Sequence, residues 1–171
     1  AVAPYCSEEP EAVRELAEYL QIPVFAQMES RGMFGNELTD KLFTLGEGAV
    51  TAADVILELG VDHNYKIGMG KPPRMNGEAT RIAVHPDAAK IGWNWKADIG
   101  VAGGVSAVCR QVLELVKTKT APVTDSAWVE EASEITAKFR SSYTEAVTAD
   151  LVPAHPGRFA AEVAMCVEEY A

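Results

Sequence analysis

The chain has 171 residues, 48% of them hydrophobic and 23% charged, with a formal net charge of −10. That length supports one hydrophobic core and a little more, and the absence of any run of about 18–20 unbroken apolar residues excludes a membrane-spanning helix. Lys and Arg are scattered, so the clustered positive face that a phosphate-backbone binder needs is missing, and neither nucleic acid nor membrane is expected as a partner.

The opening segment, Ala1–Cys6, has no basic region followed by an apolar stretch, so it does not read as a secretory signal. Ala1–Tyr5 reads instead as a strand interior, as if cut from a longer cytoplasmic chain. Ser7 can cap a helix over Glu9–Leu20, whose first turn is suited by Glu8, Glu9 and Pro10 and whose apolar side is Val13, Leu16, Ala17 and Leu20. Ile22–Met28 is a continuous apolar run of strand length. Asn36–Leu45 reads as a short helix with Leu38, Leu42 and Leu45 on one side.

Asp54–Leu59 is the clearest strand and stops at Gly60; Thr80–His85 is another, followed by a capped turn at Pro86–Asp87 and a short helix ending near Ile91–Gly92. Asp98–Ala102 is a last short strand. Val105, Val108, Val112, Leu113 and Val116 form a stripe of helical period. Short apolar runs separated by helices imply parallel strands buried on both faces. The expected fold is therefore α/β: a Rossmann-like, doubly wound parallel sheet of about six strands over residues 1–117.

Residues 118–171 form a linker and helices. Thr118–Thr124 is polar and Pro-containing; Asp125–Tyr143 predicts a helix with Trp128, Ile135 and Phe139 on one side. Thr148–Pro156 is a second connector, and Phe159–Tyr170 a short amphipathic helix with Phe159, Val163, Cys166 and Val167 on its apolar face. The three cysteines, Cys6, Cys109 and Cys166, show no metal-ligand spacing. Cys109 and Cys166 lie on apolar helix faces, which predicts buried, reduced thiols.

In a doubly wound sheet ligands sit beyond the carboxyl ends of the strands. The candidate nucleotide-contacting residues in those loops are Arg31 and Gly32 after the second strand, Gly60, Asn64 and Lys71 after the third, His85 and Asp87 after the fourth, and Gly103 and Gly104 at the last strand-to-helix turn. Gly68-Met69-Gly70-Lys71 lacks the first glycine and the Ser/Thr of a phosphate loop, and the prolines after it remove backbone donors. The Gly103-Gly104 pair serves either a phosphate or tight packing. His63 and His85 have no nucleophile in an evident catalytic order, and Asp87 reads as a helix cap. No carboxylate stands out in an apolar context that would tune it for acid–base work. The pairs Glu8-Glu9 and Glu168-Glu169 are solvated faces.

Taken in order, the loops carry a resemblance. Ala17–Val24 (AEYLQIPV), Arg31-Gly32 and Ala53–Gly60 (ADVILELG) resemble the central domain of thiamine-diphosphate-dependent enzymes. Gly60–Pro73 (GVDHNYKIGMGKPP) is similar to the acetolactate synthase and 2-hydroxyacyl-CoA lyase branch. Ile82–Gly92 (IAVHPDAAKIG) resembles that family's "viqiDiDpaeiG". Val152–Phe159 (VPAHPGRF) resembles the segment that opens the following, cofactor-binding domain. The resemblance implies that this chain is a non-catalytic central domain of a lyase or transferase. Its partners would be the two other domains of a homo-oligomeric parent, with loops Ser30–Asn36 and Asp62–Arg74 facing the substrate channel. Thiamine diphosphate and Mg2+ would belong to the parent, because the activating Glu and the GDG…N segment lie in those other domains. In nucleotide-binding members an Arg stands where this chain has Asp62, and an Asp where it has His85; both changes disfavour FAD or ADP. The alternatives are a free-standing module for FAD, ADP, CoA or NAD, and a small hydrolase built on His63 or His85.

Overall fold

The computed structural model describes residues 9–27, 30–34, 41–44 and 48–170. The chain divides into two compact units, Ala1–Thr136 and Ala137–Ala171.

In the first unit, α1 (Pro10–Leu20) begins with Pro at its first turn and Glu9 at the N-cap, and buries Ala12, Val13, Leu16 and Ala17. The expected cap Ser7 and the expected strand Ala1–Tyr5 fall outside the described residues. β1 (Val24–Phe25) pairs in parallel with β2 (Phe43–Thr44), Val24 opposite Phe43. The helix expected over Asn36–Leu45 is thus corrected at its described end: Leu42 and Phe43 enter a strand edge and the core. The aromatic Phe43 and β-branched Thr44 suit that extended backbone. After α2 (Gly48–Ala52) come β3 (Val55–Leu59), β4 (Thr80–His85) and β5 (Ile99–Ala102), a parallel sheet in the order β3-β4-β5. The fold is α/β, and among the described residues its parallel strands form a two-stranded group, β1-β2, and a three-stranded sheet, β3-β4-β5.

Alternation along these strands sorts the side chains between two layers. Leu57, Leu59, Val84 and Val101 join α1, Phe34, Phe43, Val129 and helix α3 (Val105–Lys117) in the main core. Ile56 faces the other way, into a smaller cluster with Phe25, Val50, Val61, Ile67, Met75 and Ala79. By the same alternation Glu58, Arg81 and His85 point to that second side. It is closed chiefly by irregular segments, including a 3₁₀ turn at Tyr65–Gly70, rather than by long helices. Along α3 Val105, Cys109 and Leu113 are buried as expected, whereas Val112 is exposed.

The segment after α3 is not a loose tether. Tyr19 donates its hydroxyl proton to the Thr120 carbonyl at 2.8 Å, and Val123 N–H donates to the Tyr19 carbonyl at 2.9 Å. Helix α4 (Ala127–Thr148) runs past the expected end at Tyr143 and buries Val129, Ala132 and Thr136, one position round from the expected face. In the second unit, α5 (Pro156–Tyr170) leaves Phe159, Val163 and Val167 exposed. Cys109 is buried as expected, but Cys166 is exposed. No described helix is long and apolar enough to cross a membrane.

Candidate functional site

The carboxyl ends of β3, β4 and β5 bring several of the candidate residues together. Gly60 N–H donates to the Val84 carbonyl at 2.7 Å, which lays the turn after β3 along the end of β4. Gly103 N–H donates to the His85 carbonyl at 3.0 Å, joining the turn after β5. His85 is buried, and its Nδ1 accepts from Asp87 N–H at 3.0 Å. Asp87 is the cap expected of it, its Oδ1 accepting from Ala89 N–H at 2.9 Å. The Asp62 carboxylate lies 3.1 Å from Lys90 Nζ and 3.8 Å from His85 Nε2, and Lys90 in turn stands 4.1 Å over the Trp93 ring.

The remaining candidates occupy other places. Arg31 and Gly32 are exposed in a turn whose backbone closes on itself through Ser30 N–H to Gln27 and Met33 N–H to Ser30. Asn64 caps the 3₁₀ turn, its Oδ1 accepting from Lys66 N–H at 2.9 Å, and Lys71 is exposed at the end of that turn. At the start of α3, a Cβ on Gly103 would sit 3.2 Å from Val108 Cγ2, a packing reason for that glycine. A Cβ on Gly104 would meet nothing within 4 Å.

The most concentrated polar chemistry joins His63 to Glu58 and Arg81, two residues that no motif in the sequence marks. Glu58, His63 and Arg81 are 2%, 4% and 1% exposed. His63 Nε2 lies 2.9 Å from Glu58 Oε1, and Arg81 Nη1 lies 3.5 Å from the same oxygen. The other ring nitrogen, His63 Nδ1, lies 3.0 Å from the Trp93 carbonyl, while Asn94 Nδ2 donates to the His63 carbonyl at 2.8 Å. Arg81 donates from Nη2 to the Asn76 carbonyl at 3.2 Å and stacks 5.1 Å from the Trp95 ring. Register explains the meeting: Ile56 pairs with Arg81 and Glu58 with Ala83, so Glu58 and Arg81 share a face on adjacent strands.

Burial is the largest influence on His63 and pulls its pKa down, but the Glu58 bond and charge, with the Trp93 carbonyl, more than offset it, and the net shift is upward. Burial lowers the Arg81 pKa against the opposing pull of Glu58 and Asp98. The Asp98 pKa is lowered, first by the Arg81 N–H it accepts at 2.9 Å and then by Lys96 at 3.0 Å.

Gly70 closes the group from the side. Its φ is +73°, and a Cβ there would sit 3.0–3.1 Å from three atoms of the His63 ring. Gly70→Ala is therefore expected to destabilise the chain by about 2 kcal/mol, combining a left-handed backbone with a forced ring shift. Gly32→Ala, at φ +82° with nothing within 4 Å, carries the backbone part alone and should cost less. Equal shifts of the two variants in thermal unfolding would contradict the steric reading.

A parallel α/β domain whose loops converge at the carboxyl ends of its strands is the class that this geometry defines. The family model described as thiamine pyrophosphate enzyme, central domain, matches residues 5–124, and the chain belongs to that family. It is 32% identical over 122 residues to an acetolactate synthase of Mycobacterium avium, covering 67% of this chain and 20% of that protein. It is 27% identical over 123 residues to the acetolactate synthase large subunit of Pyropia yezoensis, covering 68% and 21%. With 2-hydroxyacyl-CoA lyase 1 of Mus musculus it shares 26% identity over 123 residues, covering 71% and 21%. The chain thus spans about a fifth of the length of the curated relatives it matches.

Proposed function

We propose that the chain is a non-catalytic central domain of a multidomain thiamine-diphosphate-dependent enzyme. The parent chemistry is the carbon–carbon bond formation or cleavage suggested by the acetolactate synthase and 2-hydroxyacyl-CoA lyase relatives. The observation that carries this is the family match over residues 5–124, on a parallel sheet whose loops are tied to one another by backbone and buried polar bonds. On this reading the sheet is doubly wound with about six strands. Residues 118–171 lead towards the domain that holds the cofactor, and the parent is a cytoplasmic homo-oligomer.

Thiamine diphosphate held through Mg2+ needs clustered oxygen ligands. Among the described residues no three His, Cys, Asp or Glu side chains come together to hold a metal ion, so these residues do not fit that group. The cofactor is assigned to the other domains, and the role of this one is to brace the subunit and present its loops, including Asp62–Arg74, to the substrate channel. At the strand ends a carboxylate, Asp62, engages Lys90. A phosphate brought there would meet that negative charge, which favours a scaffold over an FAD or ADP site.

Two measurements test this. Calorimetry of the 171-residue chain with thiamine diphosphate and Mg2+ should show no binding, whereas an extended reading frame with both flanking domains should bind the cofactor and turn over a 2-oxo acid or 2-hydroxyacyl thioester. Thermal unfolding with FAD, ADP, CoA and NAD should give no shift. A rise of several degrees with one of them would replace the scaffold by a nucleotide-binding module.

A further inference from the structure

The Glu58–His63–Arg81 group contains a proton count that has a mechanical consequence. Both ring nitrogens of His63 face acceptors, Glu58 Oε1 at 2.9 Å and the Trp93 carbonyl at 3.0 Å. A neutral imidazole carries one N–H and can satisfy one of them. Filling both contacts with Glu58 ionised requires the imidazolium.

The surroundings fix where a lost proton leaves a gap. From β3 the ring faces the Glu58 carboxylate, and from β4 the Arg81 guanidinium, 3.5 Å from that carboxylate. From the 3₁₀ turn it faces Gly70, and from the segment after β4 the Trp93 carbonyl, while the neutral Asn94 side chain bonds the His63 backbone carbonyl. Lys96 and Asp98 pair with each other at 3.0 Å and reach the group through the Arg81 backbone N–H. A bond to a carboxylate is about twice as strong as one to a carbonyl, so the single remaining N–H stays on Glu58. The bare Nδ1 lone pair is then left against the Trp93 oxygen.

We propose that His63 is a proton-operated clasp: protonated, it holds the segment 91–97 against the sheet through the Trp93 carbonyl, and on losing its proton it drops that contact and loosens the segment around Trp93, while the Asn94 bond to the His63 carbonyl, the Trp95 stack on Arg81 and the β3–β4 pairing persist. The segment carries the half-exposed Trp93, and Ile91, Gly92, Asn94, Trp95, Lys96 and Ala97 line a shallow surface pocket with Gly100. Its loosening therefore alters the surface around Trp93. The upward shift of the His63 pKa places the transition above the ordinary histidine value of about 6.5. The sign follows from linkage: a folded pKa above the unfolded one gives a contribution fully present below about 6.5 and lost as pH rises through the folded value.

Amide hydrogen exchange on the full chain between pH 5.5 and 9 tests it, with rates corrected for intrinsic base catalysis. Protection at residues 91–97 should fall at least tenfold as pH rises, while amides of α3 keep theirs, and His63→Gln should make the segment insensitive to pH. Protection that is flat with pH in the unmodified chain, or that falls equally in α3, would overturn the clasp. Should His63→Gln fail to fold, nitrogen NMR of the histidines in the unmodified chain decides. Two protonated ring nitrogens at low pH and one at high pH support the proposal, and a neutral His63 throughout refutes it.

Discussion

Glu58→Gln is expected to lower the stability of the chain by about 3–5 kcal/mol, the range found when one partner of a buried ion pair is removed. The size comes from what remains. Arg81 is 1% exposed, and with the carboxylate gone its charge keeps the Asn76 carbonyl and the Trp95 ring as described partners. His63 loses the negative charge that favours its protonated form, although the amide oxygen of Gln can still accept its N–H. Gln keeps the shape of Glu, so packing contributes little to the loss. Replacing the whole group (Glu58→Leu, His63→Phe and Arg81→Met together) should recover most of it, because a well-packed apolar group removes the desolvation cost along with the attraction. The three sites share contacts, so the single effects should not add. Urea unfolding of the single and triple variants measures this. A shift under about 1 kcal/mol for Glu58→Gln would mean that the Arg81 charge is compensated elsewhere.

That group also marks where the sequence stopped being readable. In Val55–Leu59 a lone glutamate stands among aliphatics, and the expectation that no carboxylate stands out in an apolar context missed it. The signal was available in a weaker form. Strands of a parallel sheet are covered on both faces, so an acid inside one needs a buried partner. The strand beside it carries Arg81. Joining the two required the register, which pairs Ile56 with Arg81 and which spacing in the chain does not specify. The strand-end residues His85 and Asp87 were legible because a Pro-Asp turn after a strand is written locally, and Asp87 does cap it.

The same division holds for the fold. β3, β4 and α3 are long enough for their periodicity to average over noise, and their ends lie within a residue or so of expectation. Rotation of a helix about its axis is less secure. On α3 Val105, Cys109 and Leu113 are buried as expected but Val112 is exposed, and on α4 apolarity favoured Trp128 and Ile135, yet Ala132 is fully buried. On α4 the fully buried position is the small Ala132, while the larger Trp128 and Ile135 are half-buried. Close approach is a property of the packed pair of elements, which hydrophobicity alone does not rank.

The strand at Phe43–Thr44 is where local pattern misled, and it yields the second large effect: Phe43→Ala should cost about 3–5 kcal/mol. As part of a surface helix, position 43 would tolerate alanine or gain from its helix propensity. In the structure the Phe43 ring is 1% exposed and stacks on Phe34 with centroids 4.8 Å apart. The Arg14 guanidinium lies 4.5 Å from the Phe43 centroid, with a hydrogen bond to the Phe34 carbonyl and an ion pair to Glu18 at 3.2 Å. Removing the ring opens a void between α1, β1 and β2 and withdraws the apolar floor beneath Arg14. Arg14→Gln, which removes the charge above the rings but leaves them packed, should cost about 1 kcal/mol, as for a partly exposed cation–aromatic contact. The ratio of the two losses separates the readings. A Phe43→Ala loss several times that of Arg14→Gln fits a core aromatic on a strand, and a loss below about 1 kcal/mol would return position 43 to a surface helix. The strand itself rests on two residue pairs. Its place in the sheet is therefore set by the burial of Phe43 and Leu42 more than by backbone hydrogen bonds.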